Sequence, residues 1–128
     1  MSDSIEQLRI YRNARDLEDQ CYEIAKADAG NREAFPLYRY SAAVVHHIAQ
    51  AHRLYSYRLK IDELKAGQGH AALAIDELHN LNPTEHATLI ESYQSIIRQM
   101  EGLIKWLTAK LEEKRRLAEE VANTKTAA

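Results

Sequence analysis

The sequence has few of the residues that end helices and form tight turns: four glycines and two prolines among 128 residues. Sandwiches and barrels of many short strands depend on such turns, so their scarcity disfavours those folds and favours long helices. No apolar run approaches the roughly 20 residues that a membrane-spanning helix requires. The polar, acidic N-terminus does not resemble a signal peptide, and we therefore expect a cytoplasmic protein.

The single cysteine, Cys21, permits no internal disulfide. It falls in the apolar stripe of the first predicted helix, where we expect a buried, unreactive thiol. A nucleophilic cysteine would need a neighbouring base and an oxyanion site, and the sequence shows no such set. A glycine-rich phosphate loop and a Ser/His/Asp arrangement are also missing. The sequence therefore predicts that the protein is not an enzyme.

Neither sign of charge predominates. Lysine and arginine number 17, aspartate and glutamate 19, and the formal net charge is −2 at pH 7. Proteins that bind nucleic acid through charge alone are strongly basic, so the composition does not favour that class. With 28% charged and 45% hydrophobic residues, the chain resembles an ordinary globular protein and is long enough for one domain with its own core.

The longest periodic segment runs from Pro83 to about Arg116. Its apolar residues recur at steps of three and four, which places them on one face of an α-helix. Asn82 can cap this helix, and Glu85 can complete a capping box. The apolar stripe comprises Leu89, Ile90, Tyr93, Ile96, Ile97, Met100, Leu103, Ile104, Leu107 and Leu111. A helix of this kind needs other helices to cover its apolar face.

The same spacing predicts three further helices. Helix one covers residues 5–28 and is closed by Ala-Gly-Asn at residues 29–31, where the glycine suits a helix C-terminus. Helix two begins near Pro36. Residues 53–57 are either a turn or part of one long helix. Periodicity alone leaves both alternatives open. The turn, after which helix three covers residues 58–81, is favoured mainly by the family resemblance set out below.

These helices define the predicted fold class and domain. Residues 1–118 are expected to form a single all-α domain, an up-and-down four-helix bundle. Large apolar residues are absent from residue 122 onward. Residues 119–128 are therefore predicted to be a disordered tail.

The six histidines raise the question of a metal site. A zinc-binding pair on a helix needs two histidines four residues apart, and no pair has that spacing. The Glu-x-x-His signature of di-iron bundles is absent as well, and Asp76 with His79 offers only one pair of that spacing. We therefore predict no bound metal and no cofactor, and a metal-dependent bundle enzyme is the weakest alternative.

Several large apolar residues lie outside the predicted core stripes, although a bundle core uses only about three positions in seven. Tyrosines alternate with arginines around helix two, which is typical of protein interfaces and also of surfaces that bind single-stranded RNA. We favour the protein interface, because it requires no basic excess. The predicted oligomer interface comprises Leu8, Tyr11, Tyr22, Tyr38, Tyr55 and Tyr57. The predicted surface for a partner or RNA comprises Arg9, Arg12, Arg39, Arg53 and Arg58.

Short motifs occur in a characteristic order along the chain. Residues 5–17 read IEQLRIYRNARDL, and Phe35-Pro36 opens helix two. Residues 48–50 read Ile-Ala-Gln, residues 53–56 read Arg-Leu-Tyr-Ser, and residues 103–107 read LIKWL. In order and spacing these motifs resemble the four-helix-bundle family of 23S rRNA intervening-sequence proteins. That family includes Avd, the accessory variability determinant of diversity-generating retroelements.

The resemblance implies a function that periodicity alone does not. Avd proteins form homopentameric barrels that bind the reverse transcriptase of the retroelement and its template RNA. By resemblance, this chain is expected to be a non-enzymatic accessory protein that assembles into a ring of five copies. Its expected partner in diversity-generating retrohoming is a reverse transcriptase, with template RNA as a second candidate. The alternative is a stand-alone bundle of the intervening-sequence type with a structural or RNA-associated role. Neither alternative implies a membrane or a small-molecule substrate.

Overall fold

Four α-helices make up the computed structural model, which describes residues 3–27 and 34–127. They are α1 (Asp3–Ala27), α2 (Ala34–Arg53), α3 (Tyr57–Leu81) and α4 (Ala87–Ala127), and the described residues contain no strand. Each helix packs on the next one along the chain, and α1 also packs on α4. The predicted all-α four-helix bundle is confirmed. Among the described residues, no helix has an apolar stretch long enough to cross a membrane.

The core is one continuous cluster of side chains from all four helices. Burial of each large apolar side chain stabilises the fold by roughly 1.5–3 kcal/mol. Helix four carries the predicted stripe, of which Ile97 is only half-buried and Leu111 is exposed. The largest fully buried apolar side chains are Ile10, Leu37, Ile48, Leu64, Leu78, Tyr93, Ile96, Met100 and Leu107.

The connection between α2 and α3 is the predicted turn. Helix α2 ends at Arg53 and α3 begins at Tyr57, so the alternative of one continuous helix is excluded. Ser56 caps α3, because its hydroxyl oxygen accepts a hydrogen bond from the Leu59 amide at 3.3 Å. A serine in this role satisfies one of the unpaired amides at the helix start. The Ser56 hydroxyl therefore favours the start of a new helix at this point.

Asn82 ends α3 and caps the chain leading to α4. Its amide donates to the Leu78 carbonyl at 3.1 Å, and its side-chain oxygen accepts from the amides of Thr84 and Glu85, both at 3.1 Å. The predicted cap at Asn82 is confirmed. The predicted capping box is not, because the Asn82 backbone amide donates to Leu78 and the Glu85 carboxylate accepts instead from the Asn82 side-chain nitrogen at 3.4 Å. Regular α4 begins at Ala87, four residues after the predicted start, because residues 83–86 form a turn.

The C-terminal part of α4 differs from the sequence-based expectation. We predicted a helix end near Arg116 and a disordered tail over residues 119–128, but the helix continues to Ala127. No proline or glycine interrupts the chain after residue 102. Arg115 pairs with Glu119, and Arg116 pairs with Glu120, in each case at 3.1 Å. Pairs four residues apart stabilise an exposed helix, although residues 111–126 contribute no buried side chain.

At the other end of the chain the structure differs only slightly from expectation. Helix α1 is described from Asp3 to Ala27 and so begins two residues before the predicted range of 5–28, whose last residue lies outside the described part of the chain. The predicted helix stop at residues 29–31 lies outside the described residues. Pro36 stands in the first turn of α2, where its missing amide hydrogen removes no helical hydrogen bond.

Two glycines of α3 have different surroundings, which gives a matched pair of predictions. A β-carbon on Gly69 would meet nothing within 4 Å, and neither glycine has a positive φ. We expect Gly69→Ala to stabilise the fold by up to ~1 kcal/mol, because alanine is the better helix former. A β-carbon on Gly67 would lie 3.3 Å from the Met100 sulfur and 3.5 Å from the His47 β-carbon, so Gly67→Ala should gain less or lose stability.

Urea denaturation of both variants tests this pair. The transition midpoint should rise for Gly69→Ala and should be lower for Gly67→Ala than for Gly69→Ala. A lower midpoint for Gly69→Ala than for the wild type would contradict the open environment of that face of α3.

Candidate partner-binding surface

Aromatic side chains predicted to lie at an interface are grouped at one end of the seam between α1 and α2. The rings of Tyr22 and Tyr38 meet edge to face, with centroids 5.5 Å apart. Their side chains are nevertheless 48% and 37% exposed, and Phe35, one turn before Tyr38, is also exposed. An edge-to-face pair of this kind is favourable in itself. It holds two aromatic side chains at the surface in a fixed arrangement.

The opposite end of the same seam forms a pocket of about 230 Å³, which we call the α1–α2 pocket. Three residues singled out by the sequence line it: Leu8 and Tyr11 from α1, and Arg53 from the end of α2. Leu8 is exposed, whereas Tyr11 is half-buried and packs against the core. The pocket's remaining lining residues are Gln7, Ile48, Ala49 and His52.

Two polar residues of the α1–α2 pocket, Gln7 and His52, were not among the predicted site residues. Gln7 is only 1% exposed, and its side-chain oxygen lies 3.1 Å from Nδ1 of His52. Its side-chain nitrogen is buried without a hydrogen-bond partner in the described part of the chain. The signal was present, since Gln7 precedes Ile10 by three residues and so occupies a core position of α1. A polar residue at such a position predicts a buried amide.

The five predicted arginines are all exposed and are spread over three helices. Arg9 and Arg12 lie on α1, Arg39 lies on α2, and Arg58 lies in the first turn of α3. Only Arg53 lines the α1–α2 pocket. The structure therefore brings together one arginine with two of the predicted apolar residues, Leu8 and Tyr11.

The two tyrosines at the turn between α2 and α3 have contrasting environments. Tyr55 is 98% exposed and so is available to another molecule. Tyr57 is half-buried, with its ring centroid 6.5 Å from that of Trp106 and the Lys114 ammonium 4.3 Å from its centroid. Tyr57 thus has packing and cation–π contacts within its own chain. Its participation in an oligomer interface stays a prediction.

Three histidines gather between α2 and α3. The His47 and His70 rings stack with centroids 5.0 Å apart, and His46 meets His47 edge to face at 5.5 Å. His47 is half-buried, and its Nδ1 lies within hydrogen-bond distance, 2.7 Å, of a carboxylate oxygen of Glu63. Among the described residues no three side chains of His, Cys, Asp or Glu are placed to hold a metal ion. The cluster is therefore explained by stacking and one hydrogen bond.

Cys21 is buried, as predicted, and lies 3.6 Å from the Tyr93 hydroxyl in the centre of the bundle. Burial raises the pKa of the Cys21 thiol, because the thiolate would lose its hydration. Burial also raises the pKa of the Tyr93 hydroxyl. Nucleophilic chemistry requires the thiolate, so this thiol is a poor nucleophile. Its contribution is to packing.

No protein-family model matches the chain, and no curated protein and no solved structure is significantly similar to it. The resemblance to the intervening-sequence family and Avd therefore depends on the short motifs of the sequence. What the bundle itself adds is a surface: exposed aromatic and apolar side chains at both ends of the α1–α2 seam, with exposed arginines on the same helices.

Proposed function

We propose that the protein is a non-enzymatic scaffold that assembles into a homo-oligomeric ring and, like Avd, binds a retroelement reverse transcriptase. The observation that carries this proposal is the exposed seam of α1 and α2, with Leu8 at one end and Tyr22, Phe35 and Tyr38 at the other. The bundle core is complete without these side chains. Exposed apolar surface of this kind is typical of protein interaction sites.

A ring is the assembly that suits the seam. A closed ring of identical chains joins two different surfaces of each chain by heterologous contacts. Aromatic side chains at such a contact would be buried against the neighbouring copy, where Tyr and Arg contribute strongly to binding. The resemblance to Avd gives five as the expected number of copies. Exposed arginines beside the contact would then be available to the reverse transcriptase.

Light scattering coupled to gel filtration tests the ring. We expect a mass near five times the 14.7 kDa of one chain. The double variant Tyr22→Ser/Tyr38→Ser should shift the mass toward one chain without unfolding the protomer, because both side chains are exposed. The matched control is Leu73→Ser, which removes an exposed apolar side chain from α3 and should leave the mass unchanged. A wild-type monomer at micromolar concentration would exclude the ring and the Avd-like scaffold.

The partner is tested separately. A reverse transcriptase encoded beside the gene should co-purify with the tagged chain. The net charge of −2 favours this protein partner over RNA. If template RNA does bind through several phosphates, its affinity must fall steeply as salt rises. A salt-insensitive signal would assign the contact to protein. A stand-alone intervening-sequence bundle would bind no reverse transcriptase.

A further inference from the structure

The α1–α2 pocket contains a buried hydrogen-bond donor that the protein itself leaves unused. When the hydrogen of His52 is on Nδ1, it is donated to the Gln7 side-chain oxygen at 3.1 Å. The Gln7 NH₂ group is then left without a hydrogen-bond acceptor. A buried amide without a partner destabilises a fold, and native proteins contain few of them. The nitrogen is closed off from solvent in this conformation, so an acceptor bound in the pocket, which Gln7 lines, would satisfy it once the side chain turns toward the pocket.

The charge of the pocket favours an anion. Arg53 lines it, and among the residues that the structure describes the lining includes no acidic side chain. Arg53 has one contact at the edge of the hydrogen-bond range, from Nη1 to the Gln50 side-chain oxygen at 3.4 Å. A guanidinium group carries five N–H donors, so others are available for a ligand. The pocket thus offers one buried neutral donor and one exposed cation.

Apart from the imidazole of His52 and the hydroxyl of Tyr11, the remaining described lining is hydrocarbon. Leu8, Tyr11 and Ile48 provide apolar surface, and the short side chain of Ala49 leaves the space between them. An inorganic anion would bring charge against this apolar surface without using it, which is unfavourable. A ligand with two acceptor oxygens at one end and a small hydrocarbon group at the other would match every part of the lining.

We propose that the α1–α2 pocket binds a carboxylate carrying a short apolar body. One carboxylate oxygen accepts from the Gln7 NH₂ group, the other accepts from Arg53, and the hydrocarbon packs on Leu8, Ile48 and Ala49. The pocket is complete within one chain, so this assignment stands whether or not the chain forms a ring or binds a reverse transcriptase. The carboxylate belongs either to a free organic acid or to the end of a polypeptide chain.

Nuclear magnetic resonance of the full-length ¹⁵N-labelled chain tests the site with 3-methylbutanoate as the probe. We expect a saturable shift of the Gln7 side-chain amide signal. The neutral 3-methylbutanamide should bind about tenfold more weakly, as the loss of one charge-assisted hydrogen bond implies. N-acetylvaline separates the two sources, because tighter binding than that of 3-methylbutanoate assigns the pocket to a chain terminus and weaker binding assigns it to a free acid.

Three variants identify the contacts. Gln7→Met keeps the volume without the donor, and Arg53→Gln removes the charge. Each should weaken binding about tenfold, and Gln7→Met should not lower the melting temperature, because it removes the unsatisfied group. Arg98→Gln, at an exposed position on α4, is the matched control and should bind like the wild type.

Three results would overturn the proposal. They are the absence of a saturable shift at millimolar acid, equal binding of the acid and its amide, and unchanged binding by Gln7→Met and Arg53→Gln. Inorganic phosphate that bound as tightly as the acid would also overturn it, since the apolar lining would then contribute nothing.

Discussion

Ile104→Asp is expected to unfold the protein. Ile104 lies in the apolar stripe of α4, is 5% exposed, and belongs to the core cluster that joins the four helices. An unpaired carboxylate at a buried position costs several kcal/mol, whereas a domain of this size has a total stability of roughly 5–15 kcal/mol. The loss of packing adds to that cost. Circular dichroism should show little helix at 25 °C and no cooperative melting transition.

Two further substitutions on the same helix make this test specific. Ile97→Asp should be tolerated better than Ile104→Asp, because Ile97 is only half-buried and its carboxylate can reach water. Glu91→Ala changes an exposed residue and should alter stability by less than about 0.5 kcal/mol. Equal melting temperatures for Ile104→Asp and the wild type would mean that this face of α4 is not part of the core.

Helical periodicity predicted the bundle because burial follows it closely. The stripe of α4 is buried at Leu89, Tyr93, Met100 and Leu107, which the three- and four-residue spacing specified in advance. The end of α4 was not predictable in the same way. Residues 119–126 bury nothing, so only the local pairing of charges and the absence of helix breakers distinguish a helix from a tail there.

The candidate surface was predicted in part. The sequence identified Leu8, Tyr11 and Arg53 separately, and the structure shows that the antiparallel packing of α1 and α2 brings them to one pocket. Periodicity gives the face of a helix but not the neighbour that covers it, and Tyr57 illustrates this limit. It was assigned to the predicted oligomer interface, yet Trp106 and Lys114 of α4 contact it.

Polar residues at core positions are the other limit. Gln7 and Lys60 both fall on the buried side of their helices and are 1% and 7% exposed. The spacing alone cannot say whether such a residue finds a partner or is left without one. In the structure, Lys60 has a hydrogen bond to backbone, whereas the Gln7 amide nitrogen has none. The first outcome stabilises the fold, and the second suggests a ligand.

Lys60→Ala is expected to lower the free energy of unfolding by about 2–3 kcal/mol, the range for losing a charged hydrogen bond at a buried acceptor. The Lys60 ammonium donates to the Ala51 carbonyl at 2.8 Å, in the last turn of α2. Carbonyls in that turn lack helical partners, and a cation there also interacts favourably with the helix dipole. This contact fastens the start of α3 to the end of α2 across the turn at residues 54–56.

Urea denaturation of three variants separates the ammonium from the hydrocarbon of Lys60. Lys60→Met keeps the apolar stem and should recover part of the loss caused by Lys60→Ala, because only the hydrogen bond and the charge are then missing. Lys65→Ala changes an exposed lysine of the same helix and should stay within about 0.5 kcal/mol of the wild type. If Lys60→Ala were as stable as Lys65→Ala, the hydrogen bond to the Ala51 carbonyl would contribute nothing to the stability of the turn between α2 and α3.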